Sequence, residues 1–370
     1  MSLRFGQNST QVIDAAVDKL TPLNTKKSRD SAWRQFQQFC DERKYTLNKE
    51  TSVAQLAVIL RDFSFNMRRS DGEEYKEGVV KTLWNTVAKI LQQKCYEEFN
   101  IIFDPFKDVT FECARTARDA KRKQLQKCPE KRKTSASSLS GQDIDKMCAI
   151  WDESTPDGLQ RKFFHIASYE LAWRGGEACN CLLSYFEEEF DNYGNPTGRI
   201  AYNPIFSKTA QGGSHRLTEK RWLVQNTTEP DKCPIRLFKM LKEKRGKHIT
   251  VDRLFLTVNP SWMKETSKGF FKNCPVGRNE ISKWTRDAAE AIGIDTKRIK
   301  VTNHSNRAAA VTQLAKVGVS ENQIMKVTGH SNQASIKSYL QVNSEHHEEI
   351  VQKMRNDSSE NTISIPNKVH

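Results

Sequence analysis

Apolar residues in this chain recur at three- and four-residue spacing and run together for only a few residues at a time. The longest such stripe is Val80, Leu83, Trp84, Val87 and Leu91. That period places all five on one side of a helix and commits the opposite side to water. Two similar stripes precede it, Trp33, Phe36 and Cys40, then Leu56, Leu60, Phe63 and Met67, with Ser70-Asp71-Gly72 as the break before the third. Three amphipathic helices can bury their stripes only against one another, which predicts a compact all-helical domain. Even the most apolar window, Val53 to Leu60, contains Gln55, so no segment approaches the ~20 apolar residues of a membrane span. The first thirty residues hold no apolar signal-peptide core.

The domain boundaries follow from where the pattern changes. Residues 1–24 read as a flexible arm and 25–110 as the helical domain. Residues 111–138 read as a basic interdomain linker, helical at first, then broken by Pro129 and the Ser/Thr run from Thr134 to Ser138. Residues 139–355 form the second domain and 356–370 a flexible tail. The second domain opens with helical stripes, Ile144, Met147, Cys148 and Trp151, then Phe163, Phe164, Ala167 and Leu171. Around 185–206 and 216–225 the text turns strand-like, with Gly212-Gly213 as a hairpin turn between Ile200–Phe206 and Trp222–Val224. Leu237, Met240 and Leu241 restore the helical period after Pro234, Leu254–Val258 reads as a short strand, and helices then run to about residue 354. The expected class is mainly α with a small β-sheet or hairpin, that is, α+β.

Charge narrows the partner. The chain has 370 residues and a formal net charge of +14. Nine lysines and arginines against two acidic residues, or half of that excess, fall between Arg115 and Lys133. Such a run points to a polyanion, nucleic acid before an anionic membrane surface. Arg115, Arg118, Lys121, Arg122, Lys123, Lys131, Arg132 and Lys133 are the candidate DNA contacts, reading phosphates without specifying sequence. A solvated basic helix with a nuclear-localisation run at Lys131-Arg132-Lys133 fits the same residues, and the two roles are compatible. Nine cysteines, odd in number and scattered, with no Cys-x-x-Cys, read as free thiols of a reducing compartment rather than a disulfide framework or zinc site. No phosphate loop, dinucleotide fingerprint or His-Glu-x-x-His motif is present.

Chemistry concentrates between Val301 and Leu340. His304 and Arg307 are three apart and neighbours on a helix. Ser320 and Gln323 form a capping box, Gly329 suits a left-handed helix stop, and His330 follows on the turn. Tyr339 lies between Ile336 and Leu340 on a further short helix. Taken singly, each histidine reads as well as an ordinary surface or core residue, and the tyrosine as core.

Together, His304-x-x-Arg307, Thr328-Gly329-His330 and Tyr339 resemble the signature of the tyrosine recombinases, the phage-integrase family. Leu171-Ala172-Trp173-Arg174-Gly175-Gly176-Glu177 resembles the first-arginine box of that family. Ser207-Lys208-Thr209, at the head of the expected hairpin, lies where the family places a catalytic lysine. The local text is most like eukaryotic Crypton-type transposon recombinases and their domesticated relatives. Two departures stand out: Thr328 where bacterial members usually have leucine, and Ala308 where many relatives carry histidine. Neither is expected to touch a residue that does chemistry.

The resemblance implies an all-helical core-binding domain joined to a catalytic domain of the DNA breaking-rejoining fold, the pair closing on DNA as a clamp. It implies a site-specific recombinase or transposase, acting on double-stranded DNA as a dimer or tetramer, in the nucleus, with no cofactor. Arg174 and Arg307 would grip the scissile phosphate with paired hydrogen bonds. His304 and His330 would donate to its oxygens or move protons. Tyr339 would attack, Lys208 would protonate the leaving 5′ oxygen, and Glu177 would orient Arg174. Two alternatives remain open on sequence: a type IB topoisomerase-like enzyme, and a domesticated DNA-binding or regulatory protein without catalysis.

Overall fold

The computed structural model describes residues 8–132, 134–205, 218–264, 269–337, 339 and 344–357. The chain divides after residue 134 into two units, each with its own core.

The first unit contains α1 (Thr10–Leu20), α2 (Leu23–Arg43), α3 (Val53–Asn66), α4 (Glu77–Phe99) and α5 (Glu112–Gln126). The three expected stripes supply its core. Phe36 meets Phe63 edge-on at 5.1 Å between ring centres, and Trp84, fully buried, donates Nε1 to the Leu60 carbonyl at 3.2 Å. Ser52 and Gln55 close a capping box at the start of α3. Two expectations are corrected here. Residues 10–20 of the supposed arm are a helix, capped by Ser9, whose Val12, Ile13, Val17 and Leu20 stay exposed. The supposed linker begins with a helix that packs on α3 and α4, with Phe111, Ala114 and Leu125 in the core of the unit. Its third buried helical position is Lys121, so the apolar period that would have revealed this face is broken by a cation.

The second unit is built around α7 (Pro156–Glu170), which packs on α6 (Gly141–Ala149), and is followed by α8 (Gly175–Cys179). Three antiparallel strands come next, β1 (Phe186–Phe190), β2 (Pro196–Tyr202) and β3 (Arg221–Val224). Phe186, Tyr202 and Arg221 lie in one cross-strand row. β2 and β3 pair as the two expected strands do; the Gly212-Gly213 turn lies outside the described residues. Then come α9 (Pro234–Glu243), a ribbon of β4 (Leu256–Val258) and β5 (Phe271–Pro275), α10 (Arg278–Ile281) and α11 (Trp284–Ala291). β5 corrects the expectation of unbroken helices after residue 258. Only Phe271 of its five residues is buried, so no apolar alternation marked it.

The chain continues through α12 (Asn303–Lys316), α13 (Glu321–Thr328), α14 (Ala334–Lys337) and α15 (Ser344–Asp357). α12 packs on α7, α6, α11 and α13. The Ser320–Gln323 capping box opens α13, and Gly329 ends it in the left-handed region at φ +66°. Phe164, Phe255 and Trp284 meet edge-on in the core beneath. The fold is mostly helical with small antiparallel sheets. No described helix is long and apolar enough to cross a membrane.

Candidate active site

The site begins where α7 stops. Ala172 holds φ +46°, in the left-handed region where a β-carbon costs roughly 1–2 kcal/mol. The turn exposes two successive carbonyls, and each is taken by a different arginine. Arg221 Nη1 donates to the Leu171 oxygen, and Arg307 Nη1 donates to the Ala172 oxygen at 2.5 Å. Buried Trp173 anchors the turn edge-on against Tyr202. Arg174 then starts α8, and the Glu177 carboxylate reaches back to its amide at 3.2 Å, the acceptor half of a capping box.

Glu177 is the hub of a buried charge cluster. One carboxylate oxygen accepts Arg174 Nη1 at 2.8 Å; the other takes the Arg174 amide and lies 3.5 Å from Arg221 Nη2. Burial alone would raise this carboxyl, but Arg221 and Arg174 outweigh it and hold Glu177 below the usual range. Arg174 Nη2 also donates to the Gly329 carbonyl at 2.6 Å, tying the first-arginine turn to the His330 turn.

Arg307 sits on α12, whose first turn is fixed by Thr302. Its Oγ1 accepts the His304 amide at 3.2 Å, and its own amide donates to Ser305. Arg307 is 1% exposed, and its Nη2 lies 3.0 and 3.2 Å from the two ring nitrogens of His330. Burial and the neighbouring Arg174 pull its guanidinium down to about 10, which leaves it charged at neutral pH. His304, one turn earlier, is exposed. Burial, then Arg307 and Arg174, lower His330 to about 3, so its imidazole is neutral. The Tyr339 ring centre lies 5.4 Å from that of His330. Tyr339 packs on Val311, Ile324 and Ile336, and its carbonyl accepts Thr312 Oγ1 at 3.1 Å.

Arg174, Glu177, Arg307, His330 and Tyr339 therefore come together from sequence positions 165 residues apart at the extremes, with His304 at the neighbouring helix turn. Two guanidiniums beside a neutral imidazole and a half-buried phenol can bind a phosphodiester and polarise it toward an oxygen nucleophile. Lys208 lies outside the described residues. Among those described, no group of three or more His, Cys, Asp or Glu side chains could hold a metal ion.

Two participants were missed. Arg221 is 7% exposed and its guanidinium lies 5.0 Å from the centre of the Tyr202 ring. Its signal was positional: it shares the inward face of β3 with Leu223, where a charge needs a partner. The second is Thr328. Contrary to expectation it touches a residue expected to do chemistry: its Oγ1 lies 2.5 Å from His330 Nδ1.

The basic segment is largely committed within the first unit. Lys121, buried, pairs with Glu74; Arg122 pairs with Glu77 at 3.0 Å, Arg118 with Asp119 at 2.9 Å and Lys131 with Glu73 at 3.2 Å. Arg115 donates to the Pro105 and Asp108 carbonyls, both at 3.0 Å. Arg132 and Lys123 are exposed, with Arg132 Nε donating to the Gln126 carbonyl at 2.6 Å; Lys133 lies outside the described residues. The run so reads as a charge-paired helix with a few outward cations, not as a uniform phosphate-facing stripe.

Residues 227–346 match the model of the phage integrase family, a span that holds His304, Arg307, His330 and Tyr339. Among solved structures, the integrase of the transposon Tn1549 in complex with circular intermediate DNA superposes with a TM-score of 0.53 at 13% identity, covering 90% of this chain and 94% of that one. A lambda integrase dimer bound to a core site gives 0.51 at 12% identity, covering 90% and 94%. XerH recombinase in a post-cleavage complex with its palindromic difH substrate gives 0.52 at 12%, covering 87% and 78%. At these identities the likeness is one of fold, that of the tyrosine recombinases. No curated protein matches the chain in sequence.

Proposed function

We propose that this chain is a tyrosine-type DNA strand transferase, a site-specific recombinase of the Crypton-like kind that acts on double-stranded DNA as a homo-oligomer in the nucleus. One observation carries the reading: Arg174, Arg307 and His330 converge in one hydrogen-bonded network, with the Tyr339 ring 5.4 Å from His330. Arg174 and Arg307 would take the non-bridging oxygens of the scissile phosphate, with exposed His304 adding a donor. The Tyr339 oxygen would attack phosphorus as the bond to the 5′ oxygen breaks. The products are a 3′-phosphotyrosyl link and a 5′-hydroxyl, whose proton Lys208 would supply. The covalent link conserves the phosphodiester, so a second 5′-hydroxyl reverses the step and neither metal nor ATP is consumed. Glu177 keeps Arg174 aimed. The exposed cations Lys123 and Arg132 would add sequence-independent backbone contacts.

The test uses a nicked suicide substrate, in which the cleaved end is lost, read on a denaturing gel. The wild-type chain should form a covalent adduct, and Tyr339→Phe should form none while still binding DNA. An adduct surviving in the variant would overturn the assignment.

A further inference from the structure

We propose that Thr328 is a positioning residue that fixes His330 in its Nδ1–H tautomer, so that the ring meets the reacting groups through an unprotonated Nε2. What Nε2 then acts on rests on the function proposed above; the tautomer does not.

Thr328 is fully buried as the last residue of α13. Its Oγ1 lies 2.6 Å from the Ile324 carbonyl, which has no proton to give, so the hydroxyl is the donor there. A threonine hydroxyl has one proton, and this one is spent. The same oxygen lies 2.5 Å from His330 Nδ1, and the polarity left is Nδ1–H donating to Oγ1. A neutral imidazole carries a single N–H, so Nε2 bears a lone pair. Arg307 Nη2, 3.0 Å away, is its donor in the free protein. The same Nη2 lies 3.2 Å from Nδ1, but a protonated nitrogen cannot accept it. The His330 backbone is held as well, its amide donating to the Met325 carbonyl at 3.1 Å. An apolar side chain at 328 would leave the two tautomers undistinguished.

The consequence for the reaction is one of direction. In this tautomer Nε2 accepts rather than donates. When the scissile phosphate draws off the Arg307 N–H and offsets the charges of Arg307 and Arg174, Nε2 is freed and made more basic. It then takes the proton of the Tyr339 hydroxyl as the Tyr339 oxygen–phosphorus bond forms and the phosphorus–5′ oxygen bond breaks, the leaving oxygen taking its proton from Lys208. The ring becomes an imidazolium still anchored through Nδ1–H to Thr328.

The experiment is nitrogen-15 NMR of the full chain labelled at histidine, near pH 7, with the His330 ring assigned by its loss in His330→Gln. The wild type and Thr328→Ser should both show a protonated Nδ1 and a bare Nε2; Thr328→Val should shift the ring toward Nε2–H. In the suicide-substrate assay Thr328→Val should cleave roughly 100-fold more slowly and Thr328→Ser near the wild-type rate. Nε2–H in the wild type, or an unchanged tautomer in Thr328→Val, overturns the inference. Should Thr328→Val fail to fold, the wild-type and Thr328→Ser spectra decide it, Nε2–H in either being fatal. A wild-type chain with Nδ1–H that forms no adduct overturns the proposed function and leaves the tautomer assignment standing.

Discussion

Arg221 and Glu177 meet 3.5 Å apart inside the second unit, and the same Glu177 carboxylate takes Arg174 Nη1 at 2.8 Å. One buried anion so neutralises two cations on separate elements, while Arg221 also holds the carbonyl that ends α7. The pair ties β3 to the turn that presents Arg174.

Arg221→Met leaves Glu177 paired with Arg174 but takes the donor from the Leu171 carbonyl. It should cost about 1–3 kcal/mol of stability, read as a lower urea midpoint at pH 7. Glu177 adds a pH signature. Its folded carboxyl titrates below the unfolded value of ~4.3, so its stabilisation is full above that value and is lost as pH falls through the lower folded one. Glu177→Gln should flatten the stability profile below about pH 4; an unchanged acid limb would contradict the pairing.

His165 gives a second acid-sensitive site, away from the chemistry. It is fully buried, stacks on Trp151 at 6.3 Å, and neither ring nitrogen has a hydrogen-bond partner among the described residues. Burial, then Arg161, lowers it to about 3. The unfolded chain therefore takes up the proton first, at ~6.5. Stability is full above that pH and falls toward pH 3 by up to about 1.4 kcal/mol per pH unit. His165→Phe should remove that part of the slope while leaving stability at pH 7 within about 1.5 kcal/mol. Urea midpoints at four or five pH values decide it.

Arg174→Lys keeps the charge and loses the fork that serves Glu177 and Gly329 at once. Cleavage of the suicide substrate should drop about 10²–10³-fold. DNA affinity, measured by anisotropy, should change less than tenfold. An equal loss in both would mean that Arg174 serves binding alone.

The basic segment separates by burial. Lys123→Ala and Arg132→Ala should each reduce the salt slope of DNA binding by about one. Lys121→Met should leave the slope alone and cost about 1.5–3 kcal/mol, because its ammonium serves Glu74 inside the unit. Salt titrations of affinity, paired with urea melts, distinguish the two sets.

The first three long helices, the β2–β3 pairing and the α13 stop were legible because each leaves a local mark: an apolar period, a change to period two, a glycine where φ must be positive. The helix of α5 was legible but its packing into the core was not, because a paired lysine occupies one of its inward positions, and β5 was not, because its pairing is made by backbone. Arg174, Glu177, His304, Arg307, His330 and Tyr339 could be named only through the family that their motifs resemble.

The sequence by itself, through the family its motifs resemble, named the candidates for handling a phosphate: two arginines, two histidines and a tyrosine, in a chain with excess positive charge. Only the tertiary structure decided how they are held. Arg221 reaches Glu177 across 44 residues and Arg174 reaches the Gly329 carbonyl across 155. Which nitrogen of His330 carries its proton follows from a hydroxyl that must donate to Ile324. Hydrogen-bond direction and burial are properties of neighbours in space, and spacing along a chain does not encode them.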